Sequence, residues 1–194
     1  SLFNQSDNFL NINSMRANRI FLLVFHIVGL LGMDNAQTLE IRQMSVGAAD
    51  AAVIVVRDVG RMRDSVLALN PALVPANPYE LLRVALQNKV NLAGTVKKTI
   101  LIDAAESSPK YAKKIDKYLE EIGVEKSLDY VVLSHLDKDH YGGFNELLDK
   151  YGYTINTKAY HPDNVTAGYP KPSKTCNKSF FNRIPAAKRE IARA

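Results

Sequence analysis

The chain has a single cysteine, Cys176, and no tryptophan among its 194 residues. One thiol excludes a disulfide framework and leaves no Cys-based structural zinc site. A lone late cysteine of this kind reads as a packing residue rather than a nucleophile. No internal repeat is visible, and the length suits one domain of ordinary size. Long apolar runs are also scarce. Ile20 to Gly32 is uncharged and mostly apolar, but it is broken by His26 and too short for a comfortable membrane span. It follows the basic stretch Met15-Arg16-Ala17-Asn18-Arg19 and precedes Met33-Asp34-Asn35-Ala36, the order of a secretory signal peptide. This predicts a signal peptide over Met15–Ala36, cleavage after Ala36, an upstream segment over 1–14, an exported protein, and a domain over 37–194. The alternatives are an uncleaved anchor helix, which would be the chain's only route to a membrane, or a buried helix. The net charge is +5, with lysines at 110, 113, 114, 117 and again from 171 onward. A basic surface of this size suits a polyanionic substrate, and solvated helix faces explain it equally well.

What is present is concentrated in Ser134-His135-Leu136-Asp137-Lys138-Asp139-His140-Tyr141-Gly142-Gly143. The apolar, β-branched run from Leu128 to Leu133 before it reads as a buried strand. The residues from Phe144 to Tyr151 have apolar positions at helical spacing. The cluster therefore sits where a strand turns into a helix. Alternate side chains of an extended segment share a face, so His135, Asp137 and Asp139 can converge. His140 must point elsewhere unless the backbone turns there. That divergence suits two neighbouring metals, one on His135 and Asp137, the other on Asp139 and His140. Gly142 and Gly143 allow a tight turn and close backbone approach. The plainer reading, a solvated charged loop, competes with this. The ordered set of strand, ligand cluster, glycine pair and helix favours metal.

These residues resemble the H-x-H-x-D-H hallmark of the metallo-β-lactamase superfamily, with Asp137 in place of its second histidine. The H-x-D-x-D-H form is similar to the branch of the ComEC-type competence proteins. Two upstream segments support it. Val46-Gly47-Ala48-Ala49-Asp50-Ala51 is similar to that branch's V-G-Q-G-D-A, and Thr99-Ile100-Leu101-Ile102-Asp103-Ala104-Ala105 to its T-I-L-I-D-A-G. Alanines depart from the pattern at 48, 49 and 105.

The resemblance implies an α/β fold, a metallo-β-lactamase-like αββα sandwich represented mainly by its N-terminal half. It implies a hydrolase in which a metal-activated water attacks its substrate. Here that would be a phosphodiester, in a small molecule or a nucleic acid, rather than a β-lactam. His135 and Asp137 would serve one ion, and Asp139 and His140 the other, with Asp139 also orienting the water. Asp103 would support the loop by hydrogen bonds without touching metal. The cofactor would be Zn²⁺, one or two ions, with Asp137 raising tolerance for Mn²⁺ or Mg²⁺. The family also uses a later histidine, a bridging aspartate and a final histidine. His161 reads as an exposed loop residue that matches none of them. The chain is therefore expected to lack its C-terminal half, to bind metal weakly and to turn over poorly. The alternative is a non-catalytic remnant or binding module. No stable protein partner is evident.

The patterning predicts strands near 39–46, 51–57, 98–103, 128–134 and 153–160, and helices near 79–90, 109–122 and 142–151. Ser108-Pro109 suits a helix start and Gly123 its end. Residues 57–97 read as an inserted loop and helix at the rim of the site, and the tail from His161 as a loop.

Overall fold

The computed structural model describes residues 37–47, 49–77, 80–134, 136–162 and 180–192. The proposed signal peptide, Cys176 and His135 lie outside them. Among the described residues no helix is long and apolar enough to cross a membrane.

Among the described residues six strands form one mixed sheet: β1 (Gln37–Gln43), β2 (Ala52–Asp58), β3 (Val96–Ile102), β4 (Ser127–Val132), β5 (Thr154–Pro162) and β6 (Arg189–Ala192). Their order in the sheet is their order in the chain. β1 to β3 run antiparallel, and β3 to β6 pair parallel. The helices are α1 (Val59–Leu69), α2 (Leu81–Gln87), α3 (Pro109–Glu121) and α4 (Lys138–Asp149).

The central strands are apolar at successive positions because both of their faces are buried. Val53, Val55, Leu101 and Val131 point to one face and share a core with Ile115 and Leu119 of α3 and Phe144 and Leu147 of α4. Ile54, Val56, Ile100 and Val132 alternate with them and are also buried. This mixed α/β sheet with helices packed on it is the predicted fold class. Gly123 ends α3 as anticipated. Its φ of 76° is left-handed, and a Cβ there would lie 2.5 Å from Ala93 N.

One buried charge organises the edge of this layer. Arg57 is fully buried and holds Glu40 of β1 at 3.2 Å, Thr95 Oγ1 at 3.0 Å and the Ile122 carbonyl oxygen, just past α3, at 2.6 Å. Glu40 also accepts from the Tyr118 hydroxyl at 2.5 Å. Burial lowers the Arg57 pKa, while Glu40 acts against that shift.

Several expectations need correction. Residues 59–69 form a helix that the patterning missed. Asp58 caps it, its carboxylate accepting from Arg61 N at 3.0 Å, and it buries only Met62 and Val66. With Leu81, Ala85 and Leu92 these two make a small core of their own. The register also moves this segment away from the rim of the site. Arg57 pairs with Val96 and Ala52 with Ile102, so β2 hands over to α1 at the start of β3. Asp103 follows the far end of β3, about 20 Å along the strand. The last helix begins at Lys138 rather than near 142. The tail contributes β6, paired to β5. His161 is a strand residue, partly buried, with its ring 4.7 Å from that of Phe181.

Candidate metal centre

β3 and β4 run parallel, so their C-terminal ends lie side by side and both deliver side chains to one spot. Asp103 follows β3 and stays on the ladder through its N–H to the Val132 oxygen, 2.8 Å. It then leaves the strand with a left-handed φ of 51°, and Ala105 follows at 63°. A non-glycine residue adopts this conformation only when its surroundings enforce it. Here the backbone does so. Ala104 N donates to the His140 oxygen (2.8 Å), Ala105 N to the Asp50 oxygen (2.9 Å), and Gly143 N to the Ala105 oxygen (3.0 Å). Ala105, rather than Ala104, is therefore the position at which a glycine would be unstrained.

α4 meets this turn at very close range. A Cβ on Gly143 would lie 1.8 Å from the Ala104 oxygen, and one on Gly142 2.2 Å from Ser107 N. Only glycine permits that contact, which presses the first turn of α4 against the end of β3.

The Asp103 carboxylate receives three donors. Oδ1 accepts from Ser134 N at 2.8 Å, and Oδ2 accepts from the Ser134 hydroxyl and from His140 Nδ1, the latter at 2.9 Å. His140 is 4% exposed, on the first turn of α4. Burial opposes its charged form. The hydrogen bond to Asp103 and the carboxylates of Asp103, Asp139 and Asp50 outweigh burial, so its pKa is raised. With the Nδ1 proton held by Asp103, the lone pair of the neutral ring is on Nε2. Nε2 lies 3.6 Å from Asp139 Oδ2.

That distance is too long for a good hydrogen bond. It is close to the separation of about 3.4 Å expected for two ligands that each sit about 2.1 Å from one tetrahedral ion. A buried imidazole with Nδ1 fixed by a carboxylate, beside an exposed second carboxylate, is a donor set that suits a divalent cation. Asp137 is the cap residue of α4, and its side chain does not cap the helix. The structure thus brings Asp103, Asp139 and His140 together and puts Asp137 at the head of the same helix. His135 is outside the described residues. Among those described, no group of three or more histidine, cysteine or acidic residues is arranged to hold a metal.

Asp139 is not on an extended segment, as the alternation of side chains had assumed. The helix begins at Lys138, so Asp139 reaches His140 as a neighbour on the first turn of α4. Ser134 and Asp50 had no role assigned from sequence, although both stand in the quoted motifs. Ser134 supplies two of the donors to Asp103, and Asp50 places negative charge near His140.

A carboxylate that holds one ring nitrogen of a histidine and leaves the other open is the arrangement commonly found around metal-ligating histidines. The model of the metallo-β-lactamase superfamily matches residues 85–188, more than half of the chain, and the chain belongs to that superfamily. Membership supports a metal-dependent hydrolase. A thioesterase, pkgB, from Emericella nidulans is 42% identical over 57 residues, 29% of this chain and 16% of that protein. Two mutants of a flavo di-iron protein from Thermotoga maritima superpose with TM-scores of 0.35 and 0.33, each at 16% identity. Each superposition covers 79% of this chain and 32% of that one. The chain thus spans under a third of the length of the relatives described.

Proposed function

We propose that the chain works as a metal-dependent phosphodiesterase of the ComEC-type branch, with Zn²⁺ as the first choice of ion and Mn²⁺ tolerated. The observation that carries this is the pairing of His140 Nε2 and Asp139 Oδ2 at 3.6 Å with Nδ1 held by Asp103. A divalent ion held here by His140 and Asp139 would lower the pKa of water and offset negative charge developing on the substrate. His140 offers Nε2 to it, and Asp103, by holding Nδ1, fixes which nitrogen faces the ion and how the ring is aimed. Asp139 is exposed enough to accept a proton and to orient the attacking water. His135 and Asp137 complete the ligand set, and the carboxylate of Asp137 favours ions that accept hard oxygen donors. The substrate preference rests on the resemblance of the H-x-D-x-D-H segment. Export, read from residues 15–36, belongs to the same proposal.

A second reading is thioester hydrolysis, favoured by the 57-residue match to a thioesterase. Both substrates suit a water activated in this way. One assay separates them: release of p-nitrophenol from bis(p-nitrophenyl) phosphate and of thiol from an acyl thioester, each with Zn²⁺ and with Mn²⁺. Diester cleavage that disappears in His135→Ala and His140→Ala supports the first reading. Thioester cleavage with the same dependence and no diester cleavage replaces it with the second.

A further inference from the structure

We infer that the outer face of α3 is a track for the backbone of a nucleic-acid strand leading to the metal centre. This rests on the phosphodiesterase reading above and extends it to a polymer. α3 buries Ala112, Ile115, Asp116 and Leu119, at spacings of three, four and seven from the first. Lys110, Lys113, Lys114 and Lys117 follow the same spacing two residues earlier, so they occupy the opposite side, and all four are exposed. An ordinary solvated helix face mixes signs. This one presents four lysines over its first turns, with Glu120 and Glu121 following only at its C-terminal end.

Helix stability does not account for the arrangement. Acidic residues favour the first turn of a helix and basic ones the last, because of the macrodipole. α3 has no acidic residue in its first turn and no basic residue in its last, and its acids Glu120 and Glu121 stand at the C-terminal end. Nor are the lysines neutralised. Among the described residues, Lys117 pairs with Glu121 at 3.7 Å, while Lys110, Lys113 and Lys114 make no ion pair. Lys114 instead donates to the Ser45 oxygen at 2.7 Å.

The stripe also points the right way. α3 follows directly on the turn at 104–108, which touches Gly142 and Gly143 at the head of α4. Beside Lys110, the Tyr111 hydroxyl fills the space over Gly47, at the loop that carries Asp50. The positive end of the helix and its lysines thus adjoin a centre rich in carboxylates. From Lys110 to Lys117 the helix rises about 10 Å, enough to meet two or three successive phosphates of a strand. An acidic protein surface has no such regular spacing of charge to match.

The test is binding, so it needs no turnover. A labelled single-stranded oligonucleotide is titrated with the full chain in EDTA, by fluorescence anisotropy, over a range of salt. Three proteins are compared: wild type, Lys110→Gln/Lys113→Gln/Lys114→Gln, and a control with the same loss of charge elsewhere, Arg63→Gln/Lys89→Gln/Lys150→Gln. The stripe variant should bind about tenfold or more weakly, with a salt slope shallower by about two, at roughly 0.7 per lost contact. The control should stay within about twofold of wild type. Equal affinity of the stripe variant and wild type overturns the track, and so does an equal loss in the control. Polyglutamate of the same length that competes as well as the oligonucleotide, through the same lysines, also overturns it in favour of an acidic protein. Absence of diester cleavage by the wild type is a separate result, and it removes the phosphodiesterase reading instead.

Discussion

At the end of the sheet where β2 hands over to α1, the buried guanidinium of Arg57 is met by Glu40, Thr95 and the Ile122 carbonyl, all within the chain. At the other end, Asp50, Asp103 and Asp139 all act on one imidazole, and no described lysine or arginine is paired with any of the three. The first end is electrostatically closed. The second holds more negative charge than the described residues neutralise, which is the state of a site whose balancing cation comes from outside. Charge at one end serves stability; at the other, under the proposed function, it serves a ligand.

The sharpest way to break this contrast is to open the closed end. Arg57→Ala should cost about 3–5 kcal/mol, since it strands the Glu40 carboxylate. Arg57→Met with Glu40→Gln should recover much of that. Urea denaturation measures both, and an Arg57→Ala protein as stable as wild type would refute the structural role.

Next in size is the backbone contact that builds the site end. Gly143→Ala drives a methyl into the Ala104 oxygen and should cost at least about 1–3 kcal/mol by overpacking. Gly94→Ala has open space and should stay within about 0.5 kcal/mol. Thermal melts of the pair decide it; similar losses for both would mean that the close approach is not needed.

Asp103→Asn tests the open end directly. An amide cannot hold the Nδ1 proton as a carboxylate does, and metal affinity should fall about 10- to 100-fold. Calorimetric titration with Zn²⁺ reads this without turnover, and unchanged affinity would remove Asp103 from the site.

The smallest effect is at Asp58. Asp58→Ala should cost about 1 kcal/mol through loss of the cap on α1. The Arg61 amide holds the Asp58 pKa below its usual range; burial opposes this and Lys97 assists it. A folded pKa below the unfolded one adds stability in full above the ordinary carboxylate range, and the gain fades as pH falls through the folded value. The gap between the two proteins, from urea midpoints, should therefore close in acid. A gap independent of pH would argue against a charged cap.

The elements legible in sequence are those with strong periodicity or an unambiguous boundary. β3 and β4 are apolar runs, and α3 has Ser108-Pro109 before it and Gly123 after it. α1 was not legible because it buries only two side chains and its apolar pattern is correspondingly faint. β6 is four residues, two of them charged, and it is a strand only because β5 offers it an edge. At the site, the ligand residue types were legible but their geometry was not. Helix onset at Lys138 depends on Gly142 and Gly143 docking against residues distant in sequence, and a local pattern carries no such information. Ser134 was hidden for the same reason, since its partner Asp103 belongs to another strand.

The order of strands in this sheet, the same as their order in the chain, bears on assembly. Each new strand adds at an edge already present, and none has to insert between two others. A chain folding from its N-terminal side can therefore lengthen the sheet one strand at a time. The locked histidine arrives late in that sequence. Asp103 is on hand once β3 is in place, but Ser134 and His140 reach it only when β4 has joined and α4 has swung back across. Until then the Asp103 carboxylate lacks the donors that hold it in the finished fold.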